Sequence, residues 1–361
     1  MNILLLSIDI RHWGGIESHA DILASVLLGK GHRVMISSWT DGSFTLKSAD
    51  ATIKTTKIRI KSSIDILAIV KIIQLSLKEN IDLIIAHHGK DYWPAALAAK
   101  ISRVRIIFVR HQTIRLKKTT CWLINKLVDK IVAVSNTVKD SLLKAGVSNE
   151  KVNVIHNCIS LKRFNPLKID ADEVRKELGI SGTDIVVGAL GKLHRDKGVY
   201  DLLYAISSLV KKDPSVKLLF VGSGPAQHNL EQEAQRLFMR DKVIFTGIRT
   251  DVERMYAAMD LFVLPSICVE GFGMVLIEAM AMKKPVIGNT IGGITEIISD
   301  NINGILVPPG DVTALSEAIT RYIENKEVFQ DIALEGRNTV ELKFSEKIYG
   351  ERFQALLKSL G

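Results

Sequence analysis

Cysteine is scarce in this sequence, and the cysteines that occur lie far apart. The 361 residues contain only Cys121, Cys158 and Cys268, and no two of them form a CxxC pair. An odd number of distant cysteines argues against a disulfide framework and against a zinc knuckle. This usage is typical of a reducing cytoplasm, which is the location that the sequence predicts.

Long hydrophobic runs are also lacking. No stretch approaches the ~18–20 uncharged apolar residues that cross a bilayer. The apolar segment Met1–Ile8 has no basic region before it and is followed directly by Asp9. We therefore interpret it as a first strand and not as a signal peptide. With 24% charged residues, 25 glycines and 8 prolines, the composition excludes disordered, collagen-like and low-complexity chains.

Acidic residues are few in the first part of the chain. Residues 1–165 contain 25 Lys+Arg and 12 Asp+Glu, although the net charge of the whole chain is only +9. Such a basic half predicts an anionic partner: nucleic acid, an acidic lipid surface or a phosphorylated substrate. Aromatic residues make up only 6%, and no nucleic-acid-binding motif is present. The sequence therefore disfavours nucleic acid and favours a phosphorylated substrate or a membrane surface.

The densest basic run leads into a predicted helix around Trp122. It begins at Arg103 and continues through Lys117 and Lys118 into the segment Cys121–Leu127. A helix with Trp122 and the aliphatic residues on one side and lysines on the other would suit peripheral contact with an anionic membrane. The alternative is an ordinary helix that covers a sheet and exposes a solvated basic face.

Short apolar runs alternate with amphipathic segments along the whole chain. Runs of Val, Ile and Leu without alternation predict parallel strands buried on both faces. Amphipathic helices are predicted at Ile64–Leu77, Val199–Val210, Gln227–Phe238 and Val312–Ile323. The predicted strands are Asn2–Ile8, Arg33–Ser37, Asp82–Ala86, Arg105–Val109, Lys130–Val134, Val152–Ile155, Asp184–Leu190, Lys217–Val221, Lys242–Phe245, Leu261–Leu264, Pro285–Ile287 and Gly304–Val307.

The strands up to Val152–Ile155 form a first series and those from Asp184–Leu190 a second, each alternating with helices. Two such series predict an α/β protein with two doubly wound, Rossmann-like domains. The joint is predicted near Phe164–Pro166, which gives domains 1–164 and 165–344. Ligands of doubly wound sheets bind beyond the carboxyl ends of the strands. The natural site is then a cleft between the two domains.

The strongest local signal lies between Glu270 and Glu278. This segment follows the predicted strand Leu261–Leu264 and opens a helix that runs to about Met282. Glycines at such a turn let backbone N–H groups approach an anion, and the helix N-terminus adds a positive field. Glu270 and Glu278 are placed to bind hydroxyl groups beside it. The alternative is that both glutamates only stabilise the helix dipole.

A second candidate is the turn Gly191–Gly198, between the first strand and first helix of the second domain. Lys192 and Lys197 flank this turn. A bound diphosphate would need two cations at such a position. Alone the pattern is weak, since scattered solvated lysines are common. Because the same domain also contains the glycine turn before Met274, the two lysines together with that turn predict a diphosphate site.

Candidates in the first domain are His111 and the turn Gly14–Gly15. His111 follows the strand Arg105–Val109 and would face the cleft. His87 and His88 occupy a similar strand end and are weaker candidates. No HExxH, DxD or carboxylate pair at metal spacing is present, so we expect no metal and no cofactor.

Several enzyme classes are disfavoured by missing motifs. The turn Trp13–Glu17 is not GxGxxG, and no acid follows the second strand, which argues against a dehydrogenase. The sequence contains no GxxxxGK[ST], the phosphate-binding motif of nucleotide triphosphatases, and no GxSxG, the nucleophile motif of many hydrolases.

Taken together, these motifs resemble those of the retaining glycosyltransferases of family 4. The pair Glu270 and Glu278 matches the EX7E motif of that family, whose members have the GT-B fold of two facing Rossmann-like domains. The resemblance covers almost the whole chain. Its other parts are Gly14–Glu17, His111, Val134–Ser135, Val154–Asn157, Arg163–Phe164, Gly191–Gly198, Val221–Pro225, Phe245–Gly247, Asp260–Pro265, Gly292–Glu296 and Asn303–Asp311.

This resemblance implies roles for single residues. Lys192 and Lys197 would hold the donor diphosphate, and Glu278 would bind the ribose hydroxyls. Glu270 would contact the sugar near its anomeric carbon, and His111 would reach the same sugar from the first domain. The family needs no metal.

Further implied roles belong to backbone and flanking segments. Arg249 would lie beside the base, and the turn Gly14–Gly15 would leave room for the diphosphate or the acceptor. The last helix, residues 345–361, would pack back on the first domain. The backbone that would cradle phosphate is that of Phe272, Gly273, Met274 and Val275.

The chain departs from the family pattern at three positions. Lys192 stands where Arg is common, and a lysine lacks bidentate geometry. Cys158 replaces the usual glycine after Asn157, and Ser223 replaces an acid. These changes bear on nucleotide affinity and base choice, not on the reaction class.

The predicted function is transfer of a hexose-like sugar from a nucleotide-diphosphate sugar to a hydroxyl group, with retention. The basic first domain predicts an anionic glycolipid or polysaccharide acceptor, with lipopolysaccharide or a related envelope glycan first. Three alternatives remain: a nucleotide-sugar epimerase, a glycoside hydrolase that uses the Glu pair, and a catalytically silent glycan- or lipid-binding subunit.

Overall fold

The computed structural model describes residues 1–6, 14–38, 42–45 and 52–360. They fall into two compact units, Met1–Ser160 with Ser345–Gly361, and Leu161–Phe344. The sequence prediction set this boundary after residue 164. The last two residues of the predicted strand Asn2–Ile8, and Trp13, lie outside the described residues.

The first unit is built on a sheet of eight strands. Their order is β3-β4-β2-β1-β5-β6-β7-β8, and only β3 runs antiparallel to its neighbour. The strands are β1 (Asn2–Leu6), β2 (Arg33–Ser38), β3 (Gly42–Thr45), β4 (Thr52–Lys57), β5 (Leu83–Ala86), β6 (Arg105–Arg110), β7 (Lys130–Ala133) and β8 (Val152–Val154).

Helices cover this sheet because its central strands bury apolar residues without alternation. Among the described residues of this unit the helices are α1 (Gly15–Gly29), α2 (Ile66–Lys78), α3 (Tyr92–Ser102), α4 (Lys118–Leu127), α5 (Asn136–Ala145) and, from the end of the chain, α14 (Glu346–Lys358). The closing helix α14 packs on α1, where the Tyr349 hydroxyl and His19 Nε2 lie 2.9 Å apart.

Two features of the first unit differ from the sequence prediction. Strands β3 and β4 were not predicted, because the Thr- and Lys-rich sequence of β4 lacks the apolar run that marks the other strands. Helix α4 does not carry Trp122 on its apolar side. Cys121, Leu123 and Ile124 are buried, whereas the Trp122 side chain is 55% exposed, on the side of the lysines.

The second unit is built on six parallel strands in the order β11-β10-β9-β12-β13-β14. The strands are β9 (Ile185–Leu190), β10 (Val216–Val221), β11 (Val243–Phe245), β12 (Leu261–Leu264), β13 (Val286–Asn289) and β14 (Ile305–Val307). The helices are α6 (Ala171–Glu177), α7 (Val199–Val210), α8 (Gln227–Arg236), α9 (Val252–Ala258), α10 (Met274–Ala281), α11 (Ile294–Ile297), α12 (Val312–Glu324) and α13 (Lys326–Lys343). Each unit is doubly wound, as predicted.

In both sheets the expected ligand-binding edge lies at the same topological position. In each, the order of connection reverses beside the first strand of the unit, at β1 between β2 and β5 and at β9 between β10 and β12. Crevices at such reversals, at the carboxyl ends of the strands, are where open α/β sheets bind ligands. None of the helices among the described residues is long and apolar enough to span a bilayer.

Candidate active site

The predicted donor-site residues of the second unit follow the two strands at its reversal point. Lys192 and Lys197 come after β9, and Glu270 comes after β12. These strands are direct neighbours, with Leu261 paired to Val187 and Phe262 paired to Gly188. The two loops therefore leave the sheet side by side at its carboxyl edge.

The loops after β9 and β12 touch backbone to backbone. The amides of Ile267 and Cys268 donate to the Asp196 carbonyl over 3.0 and 3.2 Å. Gly198 has a φ of +64°, and a Cβ there would lie 1.8 Å from the Pro265 carbonyl oxygen. Only glycine fits this position. The loop that carries Lys197 can therefore lie directly against the loop that carries Pro265.

Lys197 and Glu270 form an ion pair across the two loops. Lys197 Nζ lies 2.6 Å from Glu270 Oε1, and the side chains are 35% and 15% exposed. The Ser266 hydroxyl donates to the same carboxylate oxygen. Glu270 is therefore held by two donors on one side, while its second oxygen, Oε2, accepts no hydrogen bond from the residues that the structure describes.

The N-terminus of α10 lies between Glu270 and Glu278. Its cap residue Gly273 has a φ of +114°, a conformation that glycine adopts without strain, and has no side chain to cap the helix. The first-turn amides of a helix have no carbonyl partners within it. They carry partial positive charge, which suits an anion. Phe272 is buried against Phe344, with ring centroids 5.5 Å apart, while Met274 and Val275 are half-buried.

Glu278 lies deeper and has a different partner from Glu270. Its Oε2 accepts a hydrogen bond of 2.8 Å from the Tyr256 hydroxyl. Burial raises the pKa of the Glu278 carboxyl, and the Tyr256 hydrogen bond opposes that rise only in part. A desolvated carboxylate gains most from new hydrogen-bond donors, and ribose hydroxyls are such donors.

Two predicted donor-site residues have no hydrogen bond or ion pair with Lys197, Glu270 or Glu278 among the residues that the structure describes. The Lys192 side chain is exposed beyond Gly191. Arg249 donates to both carboxylate oxygens of Asp251 over 2.7 and 2.8 Å, and to Glu177 over 2.9 Å. Contact of Arg249 with a nucleotide base would require exchange of one of these ion pairs, so its role stays a prediction.

In the first unit, His111 belongs to a cluster of three histidines. His19 lies on α1, His87 follows β5 and His111 follows β6. The ring centroids of His19 and His111 are 4.8 Å apart, and His87 Nδ1 lies 3.4 Å from His111 Nε2. Burial lowers the pKa of His19 to about 3 and holds the pKa values of His87 and His111 well below their usual range. All three rings are therefore neutral at physiological pH.

The same cluster is the one group of described residues with metal-ligand character. One ligand atom from each of His19, His87 and His111 lies within 4.8 Å of the others. Neutral imidazoles bind transition metals such as zinc, copper or nickel. The sequence predicts no metal site, because the three residues come from separate elements at spacings that match no motif. No sequence signal pointed to His19 at all.

The turn Gly14–Gly15 forms the start of α1. Gly14 is the cap residue in extended conformation, and a Cβ there would lie 3.0 Å from Glu17 Oε2. Gly15 is exposed, and a Cβ there would meet no described atom within 4 Å. Neither glycine carries a side chain that would cover the N-terminus of α1, which leaves the room that a nearby ligand would require.

Two family models match the chain, one for each half. Residues 13–163 match the model described as Glycosyltransferase Family 4, and residues 170–339 match the model described as Glycosyl transferases group 1. Together they cover both units and both candidate regions.

Two bacterial glycosyl-transferring enzymes are among the similar proteins. The N-acetyl-alpha-D-glucosaminyl L-malate synthase of Bacillus anthracis is 28% identical over 292 residues, which is 78% of this chain and 76% of the relative. The capsular polysaccharide biosynthesis glycosyltransferase CapM of Staphylococcus aureus is 27% identical over 310 residues, 81% of this chain and 80% of the relative.

Solved structures match over the full length. The crystal structure of Anabaena HepE in complex with UDP is 25% identical and superimposes with a TM-score of 0.83, covering 99% of this chain and 100% of the other. The predicted GT-B fold class is thereby confirmed. With both halves matched in order, and a full-length structural match to a UDP complex, this chain belongs to the glycosyltransferases of the family 4 type.

Proposed function

We propose that this protein is a retaining glycosyltransferase that moves a hexose-like sugar from a nucleotide-diphosphate sugar to a hydroxyl group of an envelope glycan or glycolipid. The observation that carries the proposal is the Lys197–Glu270 pair beside the uncapped N-terminus of α10. HepE, which binds UDP, supports a nucleotide-sugar donor.

In this proposal the departing diphosphate carries the negative charge that grows in the transition state. Lys192, Lys197 and the first-turn amides of α10 stabilise it. Charges already oriented where the new charge develops give the largest single contribution to many enzymatic rates. Since Glu270 and the loop contacts hold Lys197 in place before the donor binds, little reorganisation is needed.

Glu270 then orients the sugar through its second carboxylate oxygen, and Glu278 binds the ribose. His111 is neutral and can accept or donate one hydrogen bond to the sugar without adding charge. A double displacement would need a nucleophile below the anomeric carbon, for which the sequence offers no candidate. We therefore favour attack from the side of the leaving group, with the donor phosphate accepting the proton of the acceptor hydroxyl.

The acceptor is proposed to be an anionic envelope glycan, with lipopolysaccharide or a related polysaccharide first. The support is the basic first half of the chain and the similarity to CapM, a capsular polysaccharide glycosyltransferase. Attraction between opposite charges speeds association and discriminates against neutral glycans. No metal or cofactor is part of the proposed reaction.

A ligand panel tests the donor. Thermal unfolding is measured with UDP, GDP, ADP, CMP and their sugars. A ligand at about 100 times its dissociation constant stabilises by about 2.7 kcal/mol, which raises the midpoint by a few degrees in a protein of this size. Lys197→Ala should abolish the rise, and the control Lys211→Ala, at the exposed residue directly after α7, should retain it.

A turnover assay tests the chemistry. Lys197→Ala and Glu270→Ala should each lower kcat by at least about 100-fold, as loss of one preorganised charge does. Near-normal turnover in both variants would refute the site. A donor converted without acceptor would favour an epimerase, activity without nucleotide would favour a hydrolase, and glycan binding without nucleotide release would favour a silent subunit.

A further inference from the structure

Tyr256 is a buried polar side chain of the second unit that the proposed reaction does not use. It belongs to α9, and its side chain is fully buried. The ring lies against Phe262 of β12, with centroids 5.4 Å apart, and against Phe164, with centroids 6.2 Å apart. Because aromatic rings pack on it from two directions, the direction in which the hydroxyl leaves the ring is fixed.

Charged contacts hold the start of α9 in the same place. Arg163 donates to Glu253 Oε2 through Nε and Nη2, over 2.9 and 2.7 Å, and to the Thr250 carbonyl over 3.0 Å. The Arg163 guanidinium also lies over the Phe164 ring, 5.1 Å from its centroid. Arg163 therefore joins the beginning of α9 to the ring that packs on Tyr256.

The Tyr256 hydroxyl has one proton and two acceptors on α10. Glu278 Oε2 lies 2.8 Å from the hydroxyl oxygen, and the Val275 carbonyl oxygen lies 3.2 Å from it. A phenol donates its proton to one acceptor at a time, and an ionised acceptor forms the shorter and stronger bond. The proton is therefore donated to Glu278 whenever that carboxyl is ionised.

Glu278 accepts fewer hydrogen bonds than an ionised carboxylate can accept. Its two oxygens have room for about four donors, and the Tyr256 hydroxyl is the one donor to them among the residues that the structure describes. Oε1 accepts no hydrogen bond from these residues, although the side chain is half-buried. Since a desolvated carboxylate without donors is unfavourable, this arrangement favours a donor group supplied by a ligand.

Stabilisation of the helix dipole does not explain this position. Glu278 is the fifth residue of α10, and the favourable effect of an acid is largely confined to the first turn. The four steps from Met274 to Glu278 correspond to about 6 Å along the helix axis. The phosphates and the ribose hydroxyls of a nucleotide are separated by a similar distance. A diphosphate at the first-turn amides would therefore bring its ribose close to Glu278.

We propose that Tyr256 is a positioning residue of the donor site: its hydroxyl holds Glu278 Oε2, which leaves Oε1 in place for one ribose hydroxyl of the nucleotide. The inference rests on the proposed function, because it takes the ribose as the partner of Glu278. Tyr256 itself touches no substrate. It acts by fixing the rotamer of the Glu278 side chain and by favouring the ionised form of its carboxyl, which accepts hydroxyl donors best.

Nucleotide binding to Tyr256→Phe tests this role, because phenylalanine keeps the ring packing and removes only the hydroxyl. Calorimetry gives dissociation constants for UDP, GDP and ADP, and for the 2′-deoxy and 3′-deoxy forms of each nucleotide that binds. Tyr256→Phe should weaken nucleotide binding about fivefold. The matched control Tyr322→Phe, at a buried tyrosine of α12, should bind as the wild-type protein does. The melting midpoint without ligand confirms that both variants are folded.

A cycle between the variant and the nucleotide shows whether Tyr256 acts through the ribose contact. In the wild-type protein, removal of the ribose hydroxyl that Glu278 binds should weaken binding about tenfold. In Tyr256→Phe the same removal should weaken binding less than about threefold, because a carboxylate that is not held makes a poorer contact. A purely structural Tyr256 would leave the effect of the missing hydroxyl equal in both proteins.

The pH dependence of binding gives a second readout. Loss of the Tyr256 donor raises the pKa of Glu278 further, since that hydrogen bond favours the ionised form. The other charged groups that act on this carboxyl are Arg163 and Glu253, which are paired with each other and remain in the variant. The dissociation constant of Tyr256→Phe, divided by that of the wild-type protein, should therefore grow as the pH falls from 8 to 6.

The possible failures of this inference and of the proposed function can be told apart. Unchanged nucleotide affinity in Tyr256→Phe, an equal effect of the missing hydroxyl in both proteins, or a ratio that is constant between pH 8 and 6 would each overturn the role of Tyr256 and leave the proposed function standing. Absence of nucleotide binding to the wild-type protein would refute the proposed function and, with it, this inference.

Discussion

The histidine cluster of the first unit predicts a steep loss of stability in mild acid. His19 and His87 are 1% and 3% exposed, and burial lowers the pKa of His19 to about 3 and that of His87 well below its usual range. In the unfolded chain both rings titrate near pH 6.5. The unfolded state therefore binds more protons, so stability is fully present above about pH 7.5 and is lost as the pH falls below 6.5.

The size of the loss follows from these pKa values. On lowering the pH from 7.5 to 5.5, each ring that stays neutral in the fold costs about 1.4 kcal/mol. His19 and His87 together should lower the free energy of unfolding of the first unit by about 3 kcal/mol, and His111, whose pKa burial also holds well below its usual range, adds to this loss. That is a large fraction of the 5–15 kcal/mol typical of a domain.

Tryptophan fluorescence measures this unit selectively. All four tryptophans, Trp13, Trp39, Trp93 and Trp122, lie within the first 122 residues. Urea unfolding at pH 7.5 and 5.5 should show the loss, and His19→Gln should reduce it by about 1.4 kcal/mol. The control His228→Gln, an exposed position on α8, should leave it unchanged. A loss below about 1 kcal/mol in the wild type, or no reduction in His19→Gln, would refute a neutral buried cluster.

Three further predictions concern the donor site and metal dependence. Glu278→Gln should raise the thermal midpoint at pH 8. The pKa of Glu278 is raised in the fold, so the stability that its neutral carboxyl contributes is lost as the pH rises, and glutamine does not ionise. The same variant should weaken nucleotide binding at least about tenfold; a lowered midpoint with unchanged binding would contradict both expectations. Gly198→Ala should destabilise the second unit by about 2 kcal/mol or more, seen as a lower melting midpoint, since its Cβ would overlap the Pro265 carbonyl. Turnover in EDTA should equal turnover without it; a loss restored by zinc would instead assign a metal to the histidine cluster.

Most of the sheet architecture could be predicted because parallel, doubly buried strands leave a strong signal. Leu261–Leu264 is a strand with the predicted bounds, and Arg105–Arg110 extends its prediction by one residue. Strand β4 could not be predicted in this way, since its Thr-rich sequence is held by pairing to β2 and not by an apolar run. The side of α4 on which Trp122 lies depends on packing against α3, which periodicity alone does not give.

The donor site was predictable only as a set of motifs. Lys197 and Glu270 are separated by 73 positions, and their contact depends on two loops that meet through Gly198 and Asp196. The partners Ser266 and Tyr256 carry no sequence signal of their own. The three-histidine cluster depends on helix α1 and two strand ends, so its members become neighbours only in the fold.

The position at which the donor diphosphate binds is the central feature of the proposed reaction. A crystal structure of the protein with UDP-glucose, or with whichever nucleotide sugar gives the largest thermal shift, measures that position. We expect the diphosphate at the first-turn amides of α10, within hydrogen-bond distance of Lys197 Nζ, and the ribose hydroxyls on Glu278. A nucleotide bound elsewhere, with Lys197 and Glu270 still paired beside an empty helix N-terminus, would contradict it.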